Sequence, residues 1–306
     1  MTLRNRLKAG IEHGCVRAGL PAFARLARRH DVLILAYHNV VPDHLAGRCD
    51  PLLHVPRSCF AEQLDLLVET HEVVSLGSAL SDPTARRRRP RAAITFDDAY
   101  RGAVTIGIEE VAARGLPTTI FVAPAYLGGR CFWWDVFAPD GERACSATFR
   151  ERALEECRGM EDAVRRWAEK NGVEGRTLPS EFVCASEGEL HAAVARPGIS
   201  LGTHTWSHPN LRRLSLEELR VELGRPLVWL RDHFLPVVPI VAYPYGLSSS
   251  TVEHVAAAVG HRAGLLVDGG WMSHRRCRPY AIPRASIPAG LSADGFRLRT
   301  AWPIGL

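Results

Sequence analysis

The stretch "AAITFDDAYRGAV" (Ala92–Val104) decides the fold, because an apolar run ends there at two adjacent carboxylates. The run "AAITF" predicts a buried strand, and Asp97 and Asp98 follow it directly. Neighbouring carboxylates repel each other unless a cation offsets their charge. Adjacent strand residues point to opposite faces, so both can approach one cation only if the chain turns after Phe96.

Apolar runs of the same kind alternate with helical patterns on both sides of this stretch. "VLILAYHNV" (Val32–Val40), "PTTIFVA" (Pro117–Ala123) and "VVPIVAYPYG" (Val237–Gly246) predict strands. Repeated strand–helix units predict an α/β fold with a mostly parallel sheet. The count of about seven strands favours a distorted (β/α) barrel over an open sheet.

The domain organisation follows from where this alternation is interrupted. Residues 31–306 predict one domain, with a helical insertion at about 127–183 that covers one end of the core. Residues 1–30 predict a basic, helical N-terminal extension. Two interpretations of this extension remain open: a helix packed on the domain, or a peripheral contact with anionic lipid.

Composition places the chain among ordinary globular proteins. Its 306 residues are 46% hydrophobic and 23% charged, with a net charge of +5. The eight cysteines form no CxxC pair, which disfavours a zinc ribbon and indicates reduced thiols. There is no signal-peptide pattern and no apolar run approaching about 18 residues, so we expect no transmembrane segment. A cytoplasmic location is expected, with peripheral contact at the inner membrane face as the alternative.

A second group of polar side chains follows another predicted strand. "GTHTWSH" (Gly202–His208) contains His204 and His208, which would converge if they lay on one helical turn. One carboxylate and two imidazoles form a set of three ligands that leaves positions open for water or substrate, as at a catalytic metal. The second aspartate would then accept a proton from a water whose pKa the metal lowers. Either motif alone is more often a turn, a cap or surface.

These residues resemble the polysaccharide deacetylase family, the NodB-like carbohydrate esterases of family 4. "TFDDAY" is similar to its first motif, with Ala99 where glycine is usual, and "THTWSH" is similar to its second. "YPYG" (Tyr243–Gly246) is similar to its third motif, which forms one wall of the groove. "LAYHNV" resembles the start of a subgroup that acts on exopolysaccharides such as poly-N-acetylglucosamine.

The resemblance implies the NodB barrel, a divalent metal and removal of N-acetyl groups from amino sugars. The metal would be Zn²⁺, with Co²⁺ or Ni²⁺ as alternatives. Asp97 would be the general base, and Asp98, His204 and His208 the metal ligands. The backbone N–H of Tyr245, held by a rigid turn after Pro244, would donate to the oxyanion.

Two departures from the family pattern leave roles open. Ala242 stands where an arginine usually holds the catalytic aspartate, and Arg284 either supplies that charge or is a surface arginine. The usual late histidine, the general acid, is not evident. His38 is the candidate acid because the histidine of "LAYHNV" lies in the active site of the subgroup. The alternative is a structural histidine bonded to backbone.

Aromatic residues supply the remaining candidates for substrate binding. "FWWD" (Phe132–Asp135) recurs in the subgroup, so Trp133 or Trp134 would form a sugar subsite, with the other in the core of the insertion. Asp268 and Trp271 fall near the fourth motif, and Trp271 would line the pocket for the acetyl methyl. His274 is expected to be a polar loop residue, and the next acid to test after His38.

The sequence therefore predicts a metal-dependent deacetylase of a glycan or glycoconjugate that contains N-acetylhexosamine. One alternative is the same chemistry on a small, lipid-linked or nucleotide-linked amino sugar. Another is an inactive carbohydrate-binding homologue, against which the intact set of Asp97, Asp98, His204 and His208 argues. Nucleic acid is not expected as a partner, because the run "RRRRPR" (residues 86–91) has no interleaved aromatic residues.

Overall fold

The first strand of the main sheet is the apolar run that follows the two N-terminal helices, and most neighbouring strands in this sheet are parallel. In this computed structural model, residues 3–81, 89–139, 142–267 and 269–302 are described. The strands are β1 (Val32–Tyr37), β2 (Asn39–Val41), β3 (His54–Pro56), β4 (Glu72–Val73), β5 (Arg91–Phe96), β6 (Thr118–Val122), β7 (Ile199–Thr203), β8 (Val237–Ala242), β9 (Ala263–Leu265), β10 (Trp271–Met272) and β11 (Ala285–Ser286).

The helices lie between these strands and at both ends of the chain. They are α1 (Leu3–Arg17), α2 (Leu20–Ala27), α3 (Arg57–Thr70), α4 (Leu76–Ser81), α5 (Ile108–Ala113), α6 (Trp133–Val136), α7 (Ala147–Glu155), α8 (Glu161–Lys170), α9 (Glu187–Val194), α10 (Leu216–His233), α11 (Ser250–Ala258) and α12 (Ala293–Ala301). None of the helices in the described part of the chain is long and apolar enough to cross a bilayer.

The main sheet has the strand order β10-β1-β5-β6-β7-β8-β9, with β4 added beside β5 and β11 beside β1. Neighbours from β1 to β9 are parallel, and β10 is antiparallel to β1. β2 and β3 form a separate parallel pair. Every residue of β1 and of β5 is buried, as expected of strands covered on both faces.

One late segment joins the two edges of this sheet. Ile282 bridges Leu265 in β9, while Ala285 and Ser286 in β11 pair with β1. Backbone hydrogen bonds from Ile282 N to the Gly264 oxygen (2.9 Å) and from Leu266 N to the Ile282 oxygen (2.8 Å) hold the segment on the β9 side. The curled sheet is thus the predicted distorted barrel, with residues 282–286 completing its wall.

The insertion lies between β6 and α9 and contains α6, α7 and α8. Its aromatic side chains pack on the barrel: Phe132 stacks on Tyr126, with ring centroids 4.1 Å apart, and Trp133 is fully buried. The N-terminal extension forms α1 and α2, where His13 of α1 contacts Asp294 of α12 (3.0 Å). The division into an extension, a domain and an insertion stays a prediction.

Candidate active site

The carboxyl ends of the barrel strands surround a cavity of about 310 Å³. Parallel strands end at the same edge of a barrel, which is why residues far apart in sequence meet there. A larger cleft of about 840 Å³, bordered by Phe137 and Pro179, brings together none of the predicted site residues. The smaller cavity is lined by His38, Leu52, Leu53, Asp97, Asp98, Trp134, Arg150, Leu154, His204, His208, Tyr245, Leu247, Val267 and Ser286.

Both carboxylates reach this cavity because the chain turns where β5 ends. The strand stops at Phe96, and Asp98 and Ala99 have left-handed backbones with φ of 70° and 51°. Ala99 takes a conformation that costs a residue with a Cβ about 1–2 kcal/mol and glycine almost nothing. The predicted turn after Phe96 is therefore confirmed.

Three buried side chains at this edge form a candidate metal centre. The Oδ1 of Asp98 lies 3.3 Å from the Nε2 of His204 and 3.3 Å from the Nε2 of His208. One ligand atom from each residue can be chosen so that all three lie within 4.8 Å of one another. The Nδ1 of His204 donates to the Ala242 carbonyl (2.7 Å), so in the neutral ring the Nε2 carries a lone pair toward the other two ligands.

The electrostatics of this cluster favour a cation. Burial lowers the pKa of His204, but the charges of Asp97 and Asp98 outweigh it and raise that pKa above its ordinary value. Burial and the charge of His204 lower the pKa of His208 to about 3, which keeps its imidazole neutral, as a metal ligand must be. The two Nε2 atoms lie only 3.1 Å apart, a contact that a shared cation stabilises. The donor set thus fits a divalent metal.

The two histidines do not lie on a helical turn, so that expectation was wrong. They follow β7 in a loop with left-handed backbones at Thr205 (φ 65°) and His208 (φ 56°). The carboxylate of Glu222 in α10 accepts from the backbone N–H of Trp206 (3.0 Å) and of Ser207 (2.8 Å). Tight bends bring the rings together, and Glu222 fastens the loop. No local pattern pointed to Glu222, which lies on a separate helix.

Arg284 is not on the surface. It is fully buried, and its two terminal nitrogens donate to both oxygens of Asp97, at 2.8 and 2.7 Å. Its Nε donates to the Leu266 carbonyl (2.7 Å), which fixes the plane of the guanidinium. Burial alone raises the pKa of Asp97, but the charges of Arg284 and His204 and the hydrogen bonds from Arg284 hold it well below the usual range. Asp97 is therefore ionised at neutral pH.

His38 follows β1 directly and lines the cavity. Its Nδ1 is buried and has no hydrogen-bond partner among the described residues, so the alternative of a histidine bonded to backbone does not fit. Burial lowers the pKa of His38, while the charges of Asp98 and Asp97 act in the opposite direction. The net effect is a pKa below the ordinary value of histidine, in a ring that borders the cavity.

The "YPYG" motif divides between the cavity and the core. Tyr245 has a left-handed backbone (φ 59°) within the turn Pro244–Gly246, and its ring meets that of His208 edge-on at 4.7 Å. Pro244 is buried within the same turn. Tyr243 was predicted as a substrate-binding residue, but its hydroxyl donates to the Tyr280 carbonyl (3.1 Å) in the core. Because Tyr243 and Tyr245 are two residues apart across a tight turn, they do not share a face.

The two tryptophans of "FWWD" are both largely buried, and they differ in whether they border the cavity. Trp134 lines the cavity, and Trp133 is fully buried, with its Nε1 3.3 Å from the Tyr245 hydroxyl. The Nε1 of Trp134 donates to the Tyr100 hydroxyl (2.9 Å), which donates to Asp135 (2.6 Å). No sequence pattern pointed to Tyr100 and Asp135, whose hydrogen bonds with Trp134 join residues far apart in the chain.

Trp271 does not reach the cavity, which corrects its assignment to an acetyl pocket. It pairs with Leu33 near the start of β1, and its ring lies 5.7 Å from that of His71. His274 contacts Arg91 (3.2 Å) at the start of β5, so it is no substitute for His38. Both lie at the end of the barrel opposite the carboxylates. Asp268 lies outside the described residues.

Comparisons with known proteins agree with this architecture. A sequence profile described as polysaccharide deacetylase matches residues 84–264, while no curated protein matches the chain. IcaB from Ammonifex degensii has a TM-score of 0.61 at 17% identity, covering 89% of this chain and 96% of that one. The Streptococcus pyogenes deacetylase PplD, solved with acetate, has a TM-score of 0.60 at 17% identity, covering 89% and 99%.

A third similar structure is the deacetylase domain of BpsB from Bordetella bronchiseptica. It has a TM-score of 0.52 at 18% identity and covers 83% of this chain and 94% of that one. At such low sequence identity, the structural similarity establishes the fold alone. The profile match spans more than half of the chain. The chain belongs to the polysaccharide deacetylase family, the NodB-like carbohydrate esterases of family 4. It is a hydrolase of the amide bonds of acetylated sugars.

Proposed function

We propose that this protein is a metal-dependent deacetylase that removes N-acetyl groups from an N-acetylhexosamine within a glycan or glycoconjugate. The observation that carries the proposal is the buried triad Asp98, His204 and His208 beside the Asp97–Arg284 pair, at the edge of one cavity. A divalent cation with an ionised carboxylate next to it is the equipment for hydrolysing an amide.

Asp98, His204 and His208 would hold the cation, for which we propose Zn²⁺ with Co²⁺ or Ni²⁺ as alternatives. Two imidazoles and one carboxylate are common ligands of catalytic zinc. When bound, such a cation supplies Lewis acidity and lowers the pKa of water. The hydrogen bond from His204 to the Ala242 carbonyl orients that ring from outside the ligand set.

The neighbouring residues take the proton-transfer and stabilising roles. Asp97, ionised and oriented by Arg284, accepts the proton of the attacking water. The backbone N–H of Tyr245, on its tight turn, donates to the developing oxyanion. His38, whose Nδ1 has no partner among the described residues, protonates the departing amine.

The form of the substrate is proposed from the walls of the cavity. The indole of Trp134 suits the apolar face of a sugar ring, which favours a glycan. Arg150 favours the alternative, an amino sugar linked to a lipid or nucleotide by phosphate. Its side chain lines the cavity, makes a side-chain hydrogen bond with Cys145 and pairs with no carboxylate among the described residues. A guanidinium whose charge no carboxylate neutralises suits an anionic group.

The test combines metal analysis with a substrate screen. We expect zinc-loaded protein to release acetate from N-acetylglucosamine oligomers, or from lipid-linked or nucleotide-linked N-acetyl sugars, as followed by mass spectrometry. Asp97→Asn should keep its metal and lose on the order of 10²–10⁴-fold in turnover. The double variant His204→Ala, His208→Ala should lose the metal.

The matched control replaces two exposed histidines, as His233→Ala, His254→Ala, and should bind metal like wild type. Full metal content in the His204, His208 variant would contradict the ligand assignment. Turnover by Asp97→Asn within a few-fold of wild type would remove Asp97 as the base.

A further inference from the structure

The two N-terminal helices expose large hydrophobic side chains. Among the described residues twelve large hydrophobic side chains are exposed, and five of them lie on α1 and α2. Isolated exposed hydrophobic residues are ordinary, but a group on two adjacent short helices marks an interaction surface. We call these five residues the N-terminal apolar face: Leu7 (66% exposed), Ile11 (60%), Leu20 (41%), Phe23 (70%) and Leu26 (58%).

Helix α2 has the reverse of the usual side-chain distribution. Its buried residues are the small Pro21 and Ala24, which face the protein. Its largest apolar residues, Leu20, Phe23 and Leu26, are spaced by three and therefore share the opposite, exposed face. A surface helix normally buries its apolar stripe. The packing of α2 on this chain thus leaves its best hydrophobic surface for another contact.

The charge of the same segment identifies the partner. Residues 1–30 contain seven Lys or Arg residues and one acidic residue, a net charge of +6. Because the whole chain carries +5, the remaining 276 residues together carry −1. The positive charge of the protein is therefore concentrated in the segment that carries the apolar face. Arg17 and Arg29, both exposed, lie at its helix ends.

We propose that α1 and α2 dock this protein on the surface of a bilayer containing anionic phospholipid. The N-terminal apolar face enters the boundary between headgroups and acyl chains, while the exposed Arg17 and Arg29 contact lipid phosphates. A protein partner would need a complementary acidic surface as well as an apolar groove, whereas an anionic bilayer provides both features in one plane. This function goes beyond deacetylation and does not depend on it.

The docking helices lie away from the catalytic cavity. Helix α2 ends just before β1 begins at Val32, whereas His38 and the other catalytic candidates follow the carboxyl ends of the strands. Neither α1 nor α2 contributes a residue to the cavity lining. Substitutions on the apolar face should therefore leave turnover of a soluble substrate unchanged, which separates docking from catalysis in an experiment.

The test is co-sedimentation of the full chain with phosphatidylcholine vesicles, with and without phosphatidylglycerol. We expect binding only to the anionic vesicles, weakened by added salt. Leu20→Ser, Phe23→Ser, Leu26→Ser should reduce the partition coefficient at least tenfold. Arg17→Gln, Arg29→Gln should reduce it by roughly ten- to thirty-fold, since each basic residue near the surface contributes about fivefold.

The matched control replaces two exposed apolar residues of α10, as Val221→Ser, Val228→Ser, and should bind like wild type. Unchanged melting temperature and turnover in the Leu20, Phe23, Leu26 variant would show that its loss of binding is not loss of folding. The proposal is overturned if wild type does not bind anionic vesicles, or if that variant binds as tightly. It is also overturned if wild type self-associates through this face and the variant becomes monomeric without any vesicle binding.

Discussion

Arg284 and Asp97 form an ion pair that no solvent reaches, and every part of the guanidinium is used. Two nitrogens contact the carboxylate, one of which also donates to the Thr95 hydroxyl (3.1 Å), and the Nε donates to Leu266. Burying two charges is costly, and only such complete hydrogen bonding offsets the loss of hydration. The pair therefore belongs to the site, where it keeps a carboxylate ionised and fixed in orientation.

We expect Arg284→Met to change both stability and the pH dependence of turnover. Removing one partner leaves a buried, unpaired carboxylate, which costs about 3–5 kcal/mol of unfolding free energy. Because Arg284 lowers the pKa of Asp97, its loss raises that pKa. The base works ionised, so the acid limb of kcat/KM should move to higher pH. Denaturant unfolding and a pH–rate profile measure the two effects.

The control for this variant is Arg278→Met, which removes an arginine from a 2.7 Å pair with Glu253 at the surface. An exposed pair contributes about 1 kcal/mol or less, so stability and the pH profile should be nearly those of wild type. An acid limb at an unchanged position in Arg284→Met would mean that Arg284 does not control the ionisation of the base.

His38→Ala should slow the amide substrate strongly while leaving metal content intact. The nitrogen of an amide is a very poor leaving group unless it is protonated, and His38 faces the cavity as a free imidazole. We expect a loss of on the order of 10²-fold or more in kcat on the N-acetyl sugar. An activated acetyl ester, whose leaving group needs no proton, should lose much less. Equal losses on both substrates would assign His38 a positioning role instead.

At the scale of secondary-structure elements, the turn Pro244–Gly246 determines the backbone conformation of Tyr245. Gly246 has φ +68°, and a Cβ there would lie 2.8 Å from the Cβ and 2.9 Å from the backbone nitrogen of Val267. We expect Gly246→Ala to lose about 1–3 kcal/mol of stability. It should also lose on the order of 10- to 100-fold in kcat/KM, because the oxyanion donor moves.

Gly77→Ala provides the comparison for the turn variant. Gly77 lies within α4, and no atom lies within 4 Å of a Cβ built there. This substitution should be neutral or stabilising by up to about 1 kcal/mol, with unchanged kcat/KM. Thermal unfolding and steady-state kinetics of both variants decide the matter. If Gly246→Ala retained full activity, the turn would not position a catalytic donor.

Elements whose signals are local could be predicted from the sequence, and elements that depend on distant partners could not. The end of β5 at Phe96 and the capping box of Ser215 with Glu218 both follow from neighbouring residues. The bends at Thr205 and His208 could not be predicted, because two histidines four residues apart are compatible with a helix as well as with a folded loop. The predicted position of Trp271 was wrong, because the sequence of a two-residue strand does not indicate at which end of the barrel the strand lies.

At the scale of the whole molecule, closure of the barrel explains how a late residue completes an early motif. Residues 282–286 pair with β9 on one side and with β1 on the other, which carries Arg284 to Asp97 across 187 positions of sequence. The resemblance named Arg284 as a candidate, but the sequence alone could not distinguish it from a surface arginine. That distinction depends on the order of strands in the closed barrel.

The insertion and the N-terminal extension relate to the site in opposite ways. The insertion places Trp134, Arg150 and Leu154 in the cavity wall, so we treat it as part of the catalytic unit. The extension contributes no residue to that wall, and α2 buries only Pro21 and Ala24. We propose that the boundary at residue 31 separates the docking segment from a catalytic domain that works without it.

This boundary predicts that removing the N-terminal extension and substituting a residue of the insertion have different effects on activity. A chain comprising residues 31–306 should bind metal and deacetylate a soluble substrate within a few-fold of the full chain, with a lower melting temperature because α12 loses its contacts with α1. Trp134→Ala in the full chain should keep its metal and raise KM at least tenfold, since the contact with the sugar is lost. It should also lower the melting temperature, because Trp134 is 6% exposed and stacks on Phe132. Steady-state kinetics and metal analysis of both proteins provide the measurement. A folded, metal-loaded 31–306 chain without activity would place part of the catalytic unit in the N-terminal helices, contrary to the geometry of the cavity.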